Sequence, residues 1–511
     1  MIEDPSKETY KDWPKIIEGQ ATVLFPSENE VFYNPVQQFN RDMSIAAIQT
    51  WLIQLNEQKK EKYIKKFGEE EKENFIPYKP KLFEALAATG LRSIRYHKEI
   101  EGIGNILVND LEPQAVEAIK RNLKFNKINE EDVTPNLGDA IDVLYAHRNP
   151  TKRFDCIDLD PYGSASPFID GAIQAIADGG ILCVTCTDLA VLASTQHTEA
   201  CFAKYGGVPV KAGFCHEMAL RLVIHSLQTS ASRYKRLVTP ILSCSIDFYV
   251  RIFFRVTTSP AMVKQYASKT SVLYKCSGCG SFEHNPIGKL TPNGKNIKFG
   301  VNQGPNVSPN CEHCGFKMHI GGPMYNGPLH DKEFVSKMLT FVKENNAKFH
   351  THKRMEGMLT VIYEELDLPL LYIPSELAAI CRAQTPNIVT IRSAILNAGY
   401  KVSASHCVPG SFKTNAPNEV LWEVIRAWVK LNPVKLANFP AGAPGLRILD
   451  KENKLQISFE KHDEADPISR NIKLVRYQVN PEKNWGPKAR HKRKTEIEVK
   501  EENVKMVEKE V

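Results

Sequence analysis

Short apolar runs that stop abruptly at a glycine or an acid restrict this chain more than any other feature. Lys81 to Ala87 is one, and Thr89-Gly90 then turns into a helix. Asn105 to Val108 is a second and ends at Asn109-Asp110. Gly138-Asp139-Ala140 closes a third, Phe154 to Leu159 is a fourth, and Ile181 to Thr185 another. Between them, Gln114 to Phe125 brings Ala115, Ile119 and Leu123 onto one helical face. Strands that alternate with helices must pair in parallel across crossovers, so the expected fold class is α/β, a doubly wound Rossmann-like sheet. Ile241 to Val256, rich in Ile, Phe, Tyr and Val, suits a final antiparallel pair.

At 511 residues the chain exceeds one ordinary domain. The sheet domain is expected over 1–265, with the charged stretch 57–74 (EQKKEKYIKKFGEEEKEN) as a surface helix or loop inserted in it. A cysteine-bearing segment and linker follow over 266–330, then a mainly helical α+β domain over 331–480, and a charged tail without a core over 481–511. No run approaches the 18 apolar residues of a membrane span. The acids Glu3, Asp4, Glu8, Asp12 and Glu18 fit neither a secretory nor a transit peptide, which places the expected site of action in the cytosol or nucleus. A net charge of +7 permits a nucleic-acid partner without demanding one, because an excess of lysine is also an ordinary solvated surface. Twelve cysteines in such a compartment argue against a disulfide framework.

An open α/β sheet binds its ligand beyond the carboxyl ends of the strands. Ala88-Thr89-Gly90-Leu91-Arg92 lies there with a single glycine, short of a full dinucleotide signature. Asp110 follows about 20 residues later, where an acid binds ribose hydroxyls. Asp139 and Ala140 come at the third strand end, where a carboxylate can accept an adenine amino group. Each also reads as a glycine turn, a strand-end acid or a helix cap; their order and spacing together favour a nucleoside cofactor. Arg41 and Arg92 offer the planar fork that a methionine carboxylate would need, with a surface ion pair as the alternative for Arg41.

The fourth strand ends in Asp158-Leu159-Asp160-Pro161-Tyr162-Gly163. An exocyclic amine has its lone pair delocalised into the ring and must shed a proton as a methyl group arrives. Asp160 can accept that N–H and take the proton. A carbonyl held rigid by Pro161 can fix the second hydrogen. Tyr162 can stack on the base, worth roughly 1–3 kcal/mol. The alternative is a plain strand-terminating Asp-Pro turn. Phe32-Tyr33-Asn34-Pro35 is a second aromatic turn, and Phe32 can close over the base or pack on the sheet.

Cys276-Ser277-Gly278-Cys279 and Cys311-Glu312-His313-Cys314 form a C-x-x-C…C-x-x-C set with a glycine after each pair. Four thiolates at this spacing wrap one tetrahedral ion, zinc by default, and leave no open position, so the expected metal is structural.

FYNP with Asn40-Arg41-Asp42, ATGLRSIR at Ala88 to Arg95, NDLEP at Asn109 to Pro113, GDA at Gly138 to Ala140 and DLDPYG at Asp158 to Gly163 resemble the tRNA (guanine-26 N2)-dimethyltransferases. So do YGG at Tyr205 to Gly207, CHEMALR at Cys215 to Arg221, the cysteine set, GPMYNGPLHD at Gly322 to Asp331 and the later RAQTP and LNAGY segments. The resemblance covers residues 15–480. It implies a class I methyltransferase sheet using S-adenosyl-L-methionine, a zinc site and a C-terminal domain that helps hold tRNA; a monomer is expected. By the same resemblance Arg41, Arg92, Asp110, Asp139 and Ala140 match cofactor-binding positions and Asp160 the catalytic acid. The run KARHKRK in the tail resembles a nuclear localisation patch, with a solvated charge run as the commoner alternative; the nucleus is the expected location, with the cytoplasm and a mitochondrial pool as alternatives. Two competing readings are methylation of another exocyclic amine in RNA or DNA, and a non-catalytic RNA-binding protein that keeps the sheet as a scaffold.

Overall fold

Residues 10, 13–25, 33–294, 296–467, 469 and 474–475 are described by a computed structural model. Phe32 and the tail after 480 lie outside these residues. A hairpin of β1 (Lys15–Glu18) and β2 (Ala21–Leu24) precedes a 30-residue helix, Gln38–Phe67. The sheet strands follow in chain order: β3 (Leu82–Glu84), β4 (Ile106–Asp110), β5 (Val133–Leu137), β6 (Phe154–Leu159), β7 (Ile176–Cys186), β8 (Arg236–Ile246) and β9 (Tyr249–Thr258). They join in the order β5-β4-β3-β6-β7-β9-β8, and β9 runs antiparallel to both its neighbours. The expected closing antiparallel pair is therefore β8 and β9.

Alternation along each strand sends neighbouring side chains to opposite faces. Phe253 joins Trp51, Tyr96 and Ile119 under the helices Gln38–Phe67, Leu91–Glu99 and Pro113–Phe125. Phe254 joins Phe83, Leu144 and Leu220 under Ala140–Ala146, Ile169–Ala175 and Cys215–Ser232. The charged stretch from Glu57 begins as the outer end of the long helix, whose first half is buried, and ends in a 3-10 turn at Glu69–Asn74.

After the sheet come β10 (Thr270–Cys276), β11 (Phe282–Pro286), an exposed hairpin of β12 (Gly288–Asn293) and β13 (Asn296–Val301), and β14 (Met318–Tyr325). β10 is the centre of a three-stranded antiparallel sheet with β11 and β14. The helices Lys332–Glu344 and His352–Glu364 then return to the first face of the large sheet, where Phe334, Met338, Met355 and Leu359 enter the same core as Trp51. Thr351 donates from its N–H and hydroxyl to Asp42 Oδ2, at 3.1 and 2.7 Å, and Arg354 pairs with Asp247 at 2.9 Å. The apolar core thus runs across position 331. The helices Ile388–Asn397 and Asn418–Leu431 form a separate core with Trp422 and the four cysteines. No helix among the described residues is long and apolar enough to cross a membrane.

Candidate active site and four-cysteine cluster

The sheet changes direction of winding between β3 and β6, and the strand-end residues gather there. Asp110 Oδ2 accepts from Ala88 N at 2.8 Å, so the acid of β4 braces the turn that leaves β3. Its Oδ1 accepts from Glu112 N at 3.0 Å. Asp139 is exposed and caps the helix Ala140–Ala146 through Ile141 N at 2.7 Å. Ala140 is buried beneath it. The cap reading of Asp139 is therefore realised, and it leaves the carboxylate at the surface of the strand-end cleft.

Asp160 is held by an ion pair with Arg92, from the helix that follows β3. Arg92 is 5% exposed, while the Asp160 side chain keeps 24% of its surface open. Behind this pair lies a buried charge network. Arg251 from β9 donates to both oxygens of Asp158, at 2.7 and 3.1 Å, and to Ser44 Oγ at 2.9 Å. Tyr96 donates its hydroxyl to Asp158 Oδ2 at 2.5 Å, and Arg92 reaches Ser44 Oγ at 3.2 Å. Burial alone would raise the Asp158 pKa, but Arg251 and Arg92 hold it below the usual carboxylate value. Glu84, fully buried beside them, goes the other way: burial pushes it up to about 8, against the lowering effects of Ser93 and Arg92. One buried acid is charged at neutral pH and its neighbour is not, and the arrangement fixes Arg92 from three sides.

The Asp-Pro-Tyr-Gly turn is pinned to the end of β7: Gly163 N donates to Thr187 Oγ1 at 2.7 Å and Thr187 N returns to Gly163 O at 2.8 Å. Pro161 is buried and Tyr162 is 47% exposed, presenting its ring beside Asp160 in sequence. Ser164 bonds the Tyr205 hydroxyl at 2.6 Å, and that hydroxyl donates to Asp188 at 2.7 Å, tying the YGG segment to the same turn.

Arg41 does not join this group. Its guanidinium lies on Glu18 of β1, with Nε to Oε1 at 2.6 Å, and on the Asn34 carbonyl at 3.2 Å. Burial would raise Glu18, yet Arg41 and Arg95 hold it low. Tyr33 donates to Glu18 at 3.1 Å, so the described part of the FYNP turn packs on this ion pair. The residues missed by sequence reading are Glu84, Tyr96, Asp158 as a buried anchor, and Arg251. Arg251 had a signal: an arginine flanked by the apolar Val250 and Ile252 in a strand whose first eight residues are all buried or half-buried.

Cys276, Cys279, Cys311 and Cys314 are buried, and their sulfurs all lie within 4.8 Å of one another. The Cys276–Cys314 and Cys279–Cys311 sulfurs are 3.3 and 3.7 Å apart, too long for disulfides of about 2.05 Å. Zinc bonds of about 2.3 Å in a tetrahedron space sulfurs by roughly 3.8 Å, so the set fits that ion. The glycine after each pair has positive φ, +77° at Gly280 and +78° at Gly315, which lets the chain fold back. Gly280 N then reaches Cys276 O at 3.2 Å and Gly315 N reaches Cys311 O at 2.7 Å. Ser281 Oγ accepts from Trp422 Nε1 at 2.8 Å, joining the cluster to the C-terminal helices. His330, Glu365 and His406 form a second buried group with metal-ligand chemistry, but Lys413 Nζ lies 2.8 Å from Glu365 and already supplies the cation there.

The strand order, the reversed β9 and the strand-end acids define a class I methyltransferase. The description of the N2,N2-dimethylguanosine tRNA methyltransferases matches residues 13–426. The chain belongs to that family. It is 43% identical to the mouse tRNA (guanine(26)-N(2))-dimethyltransferase, over 93% of this chain and 76% of the mouse protein. It is 41% identical to the Schizosaccharomyces pombe protein of the same name, over 95% and 94% of the two chains. A solved structure of Trm1 from Pyrococcus horikoshii with S-adenosyl-L-methionine superposes with a TM-score of 0.65 and 28% identity, covering 80% of this chain and 99% of that one.

Proposed function

We propose that this protein transfers methyl groups from S-adenosyl-L-methionine to the exocyclic N2 of a guanine in tRNA, at position 26, and dimethylates it. The observation that carries the chemistry is Asp160, partly open at the end of β6 and aimed by the buried Arg92. The cofactor supplies an electrophilic methyl group on its sulfonium. Asp160 accepts a hydrogen bond from the amine and takes its proton, a role worth about 10²–10⁴-fold. The Pro161 carbonyl holds the other amine hydrogen, and Tyr162 stacks on the base. Phe32, if it closes on the opposite face, completes the sandwich. Asp110, Asp139 and Ala140 at the ends of β4 and β5 hold the nucleoside part, and Arg92 and Arg41 are the cations for the carboxylate. Each is paired with an acid in the structure, Arg92 with Asp160 and Arg41 with Glu18.

Zinc in the four-cysteine cluster serves structure, because all four positions are taken. We assign residues 1–265 to the methyltransferase domain, 266–330 to the metal segment and 331–480 to tRNA binding. The protein acts as a monomer and in the nucleus, on the strength of the basic run Lys488 to Lys494; a Saccharomyces cerevisiae relative, 40% identical, is mitochondrial. Mass analysis of tRNA nucleosides after incubation with enzyme and S-adenosyl-L-methionine tests the reading. N2,N2-dimethylguanosine at one guanine is the expected product. A methyl group on another atom, or none despite cofactor binding, would overturn it.

A further inference from the structure

At the end of the sheet opposite Asp160, where β6 and β8 begin, a concavity of about 460 Å³ is walled by Arg148, Asn149, Arg153, Gln174, Tyr234 and Arg236. No aspartate or glutamate lines it. Arg236, the first residue of β8, is 2% exposed and forms the back wall. Its Nη1 donates to Thr258 Oγ1 at 3.1 Å and its Nη2 to the carbonyls of Ile176 and Ala177, at 2.8 and 3.0 Å. Its Nε is buried without a partner. All the partners it has are uncharged. Arg153 spends only its Nε, on the Arg148 carbonyl at 3.2 Å.

Two acids stand nearby, and neither lines the concavity or hydrogen-bonds one of its arginines. Asp178 accepts from Thr258 N. Asp170, behind the wall, is ringed by Tyr145, Gln174, Ser230 and Tyr234. Burial, and then the charge of Arg153, bring Arg236 down to about 10, against the smaller opposing effect of Asp178. A buried cation beside a like charge is costly, and an anion in the concavity relieves both terms. Guanidinium forks match the oxygens of a phosphate.

We propose that this concavity binds a phosphate group, presented as a phosphodiester of an RNA backbone or as a free phosphate compound. The inference is independent of the methyl-transfer reading, because the site shares no residue with the strand-end cleft.

The test uses the full chain and the double variant Arg148→Gln, Arg153→Gln, whose side chains lie at the rim rather than in the core. Arg236→Gln is a second variant, read only if its melting curve shows a folded protein. Inorganic pyrophosphate should raise the melting temperature of the wild type, and its dissociation constant should rise about tenfold or more in the double variant. If the natural ligand is a phosphodiester, the tRNA dissociation constant also rises, and the slope of its logarithm against log salt falls by about one to two. If it is a free phosphate compound, tRNA binding stays as in the wild type while the pyrophosphate effect is lost. Pyrophosphate and tRNA both binding the double variant as they bind the wild type would overturn the proposal.

Discussion

At the four-cysteine cluster each ligand has a partner three residues away along the chain, and the backbone turns that aim the sulfurs lie within the same short loops. At Asp160 nothing is so local. Arg92 is 68 residues distant, Tyr96 lies 62 from Asp158, Arg251 lies 93 from Asp158, and Ser44 is 207 from Arg251. The first site assembles as soon as two loops meet an ion. The second exists only once the whole sheet has closed. Damage to the first should therefore register in folding, and damage to the reacting carboxylate in turnover alone.

Asp160→Ala is the sharpest test of that division. Methyl transfer should fall by about 10²-fold or more while cofactor affinity and the melting temperature stay near the wild type. Asp160→Asn should fail equally, since it keeps the size and loses the basicity. Single-turnover transfer of labelled methyl groups, with calorimetric cofactor binding alongside, reads both. Near-normal turnover in a folded variant would remove Asp160 from the chemistry.

The converse holds for Cys276→Ser. Wild-type protein should carry about one zinc per chain, and the variant less. Metal binding is also folding free energy, so a loss of about 3 kcal/mol or more is expected, which lowers the melting temperature by roughly 3 °C or more in a folded unit of this size. Activity should fall only in step with the folded fraction. A stable, folded variant that binds tRNA but cannot methylate it would place the metal in the chemistry instead.

Asp110→Ala probes the border between the two kinds of damage, because this carboxylate also braces Ala88. Losing hydrogen bonds to a charged acceptor should weaken cofactor binding by about 1.5–3 kcal/mol, with the chemical step at saturation largely retained. An unchanged dissociation constant by calorimetry would exclude Asp110 as the ribose ligand.

The smallest effect concerns the buried floor of the strand-end site. Glu84 has a folded pKa of about 8, above its unfolded value of 4.5. Its contribution to stability is therefore complete below the unfolded value and is lost as pH rises towards the folded one. Between pH 6 and 7.5 the wild type should lose on the order of 1–2 kcal/mol from this group. Glu84→Gln, which mimics the protonated acid, should flatten that slope in urea titrations. Parallel slopes in the two proteins would show that Glu84 is ionised in the fold.

The strand ends were legible because a parallel sheet places its loops at one edge, so Gly90, Asp110, Gly138 and Asp160 announce themselves by order and spacing. The cysteines were legible because the metal-ligand spacing is local. What periodicity hides is a charged residue buried by partners far along the chain. Arg251 sits between the apolar Val250 and Ile252, and only the tertiary structure shows that Asp158 is its counter-ion. The ion pair of Arg41 was hidden for the same reason, since its partner Glu18 lies in a short hairpin with no motif of its own. The division at 331 follows a change in sequence pattern, whereas the core follows shape, and Phe334 and Met338 are as much part of the sheet's cover as Trp51.

That last feature bears on inheritance. An allele that stops near residue 330 removes not an accessory part but half the lid of one sheet face, together with the Thr351 bridge to Asp42. Truncations that stop before the second of the lid's helices ends at Glu364 should therefore behave alike, as losses of folded protein. Recombination between relatives meets the same constraint. A workable exchange of the distal region has to carry the partners of the cysteine cluster with it, and also Leu370 and Leu371 in the core of the other sheet face and Lys413, which pairs with the buried Glu217.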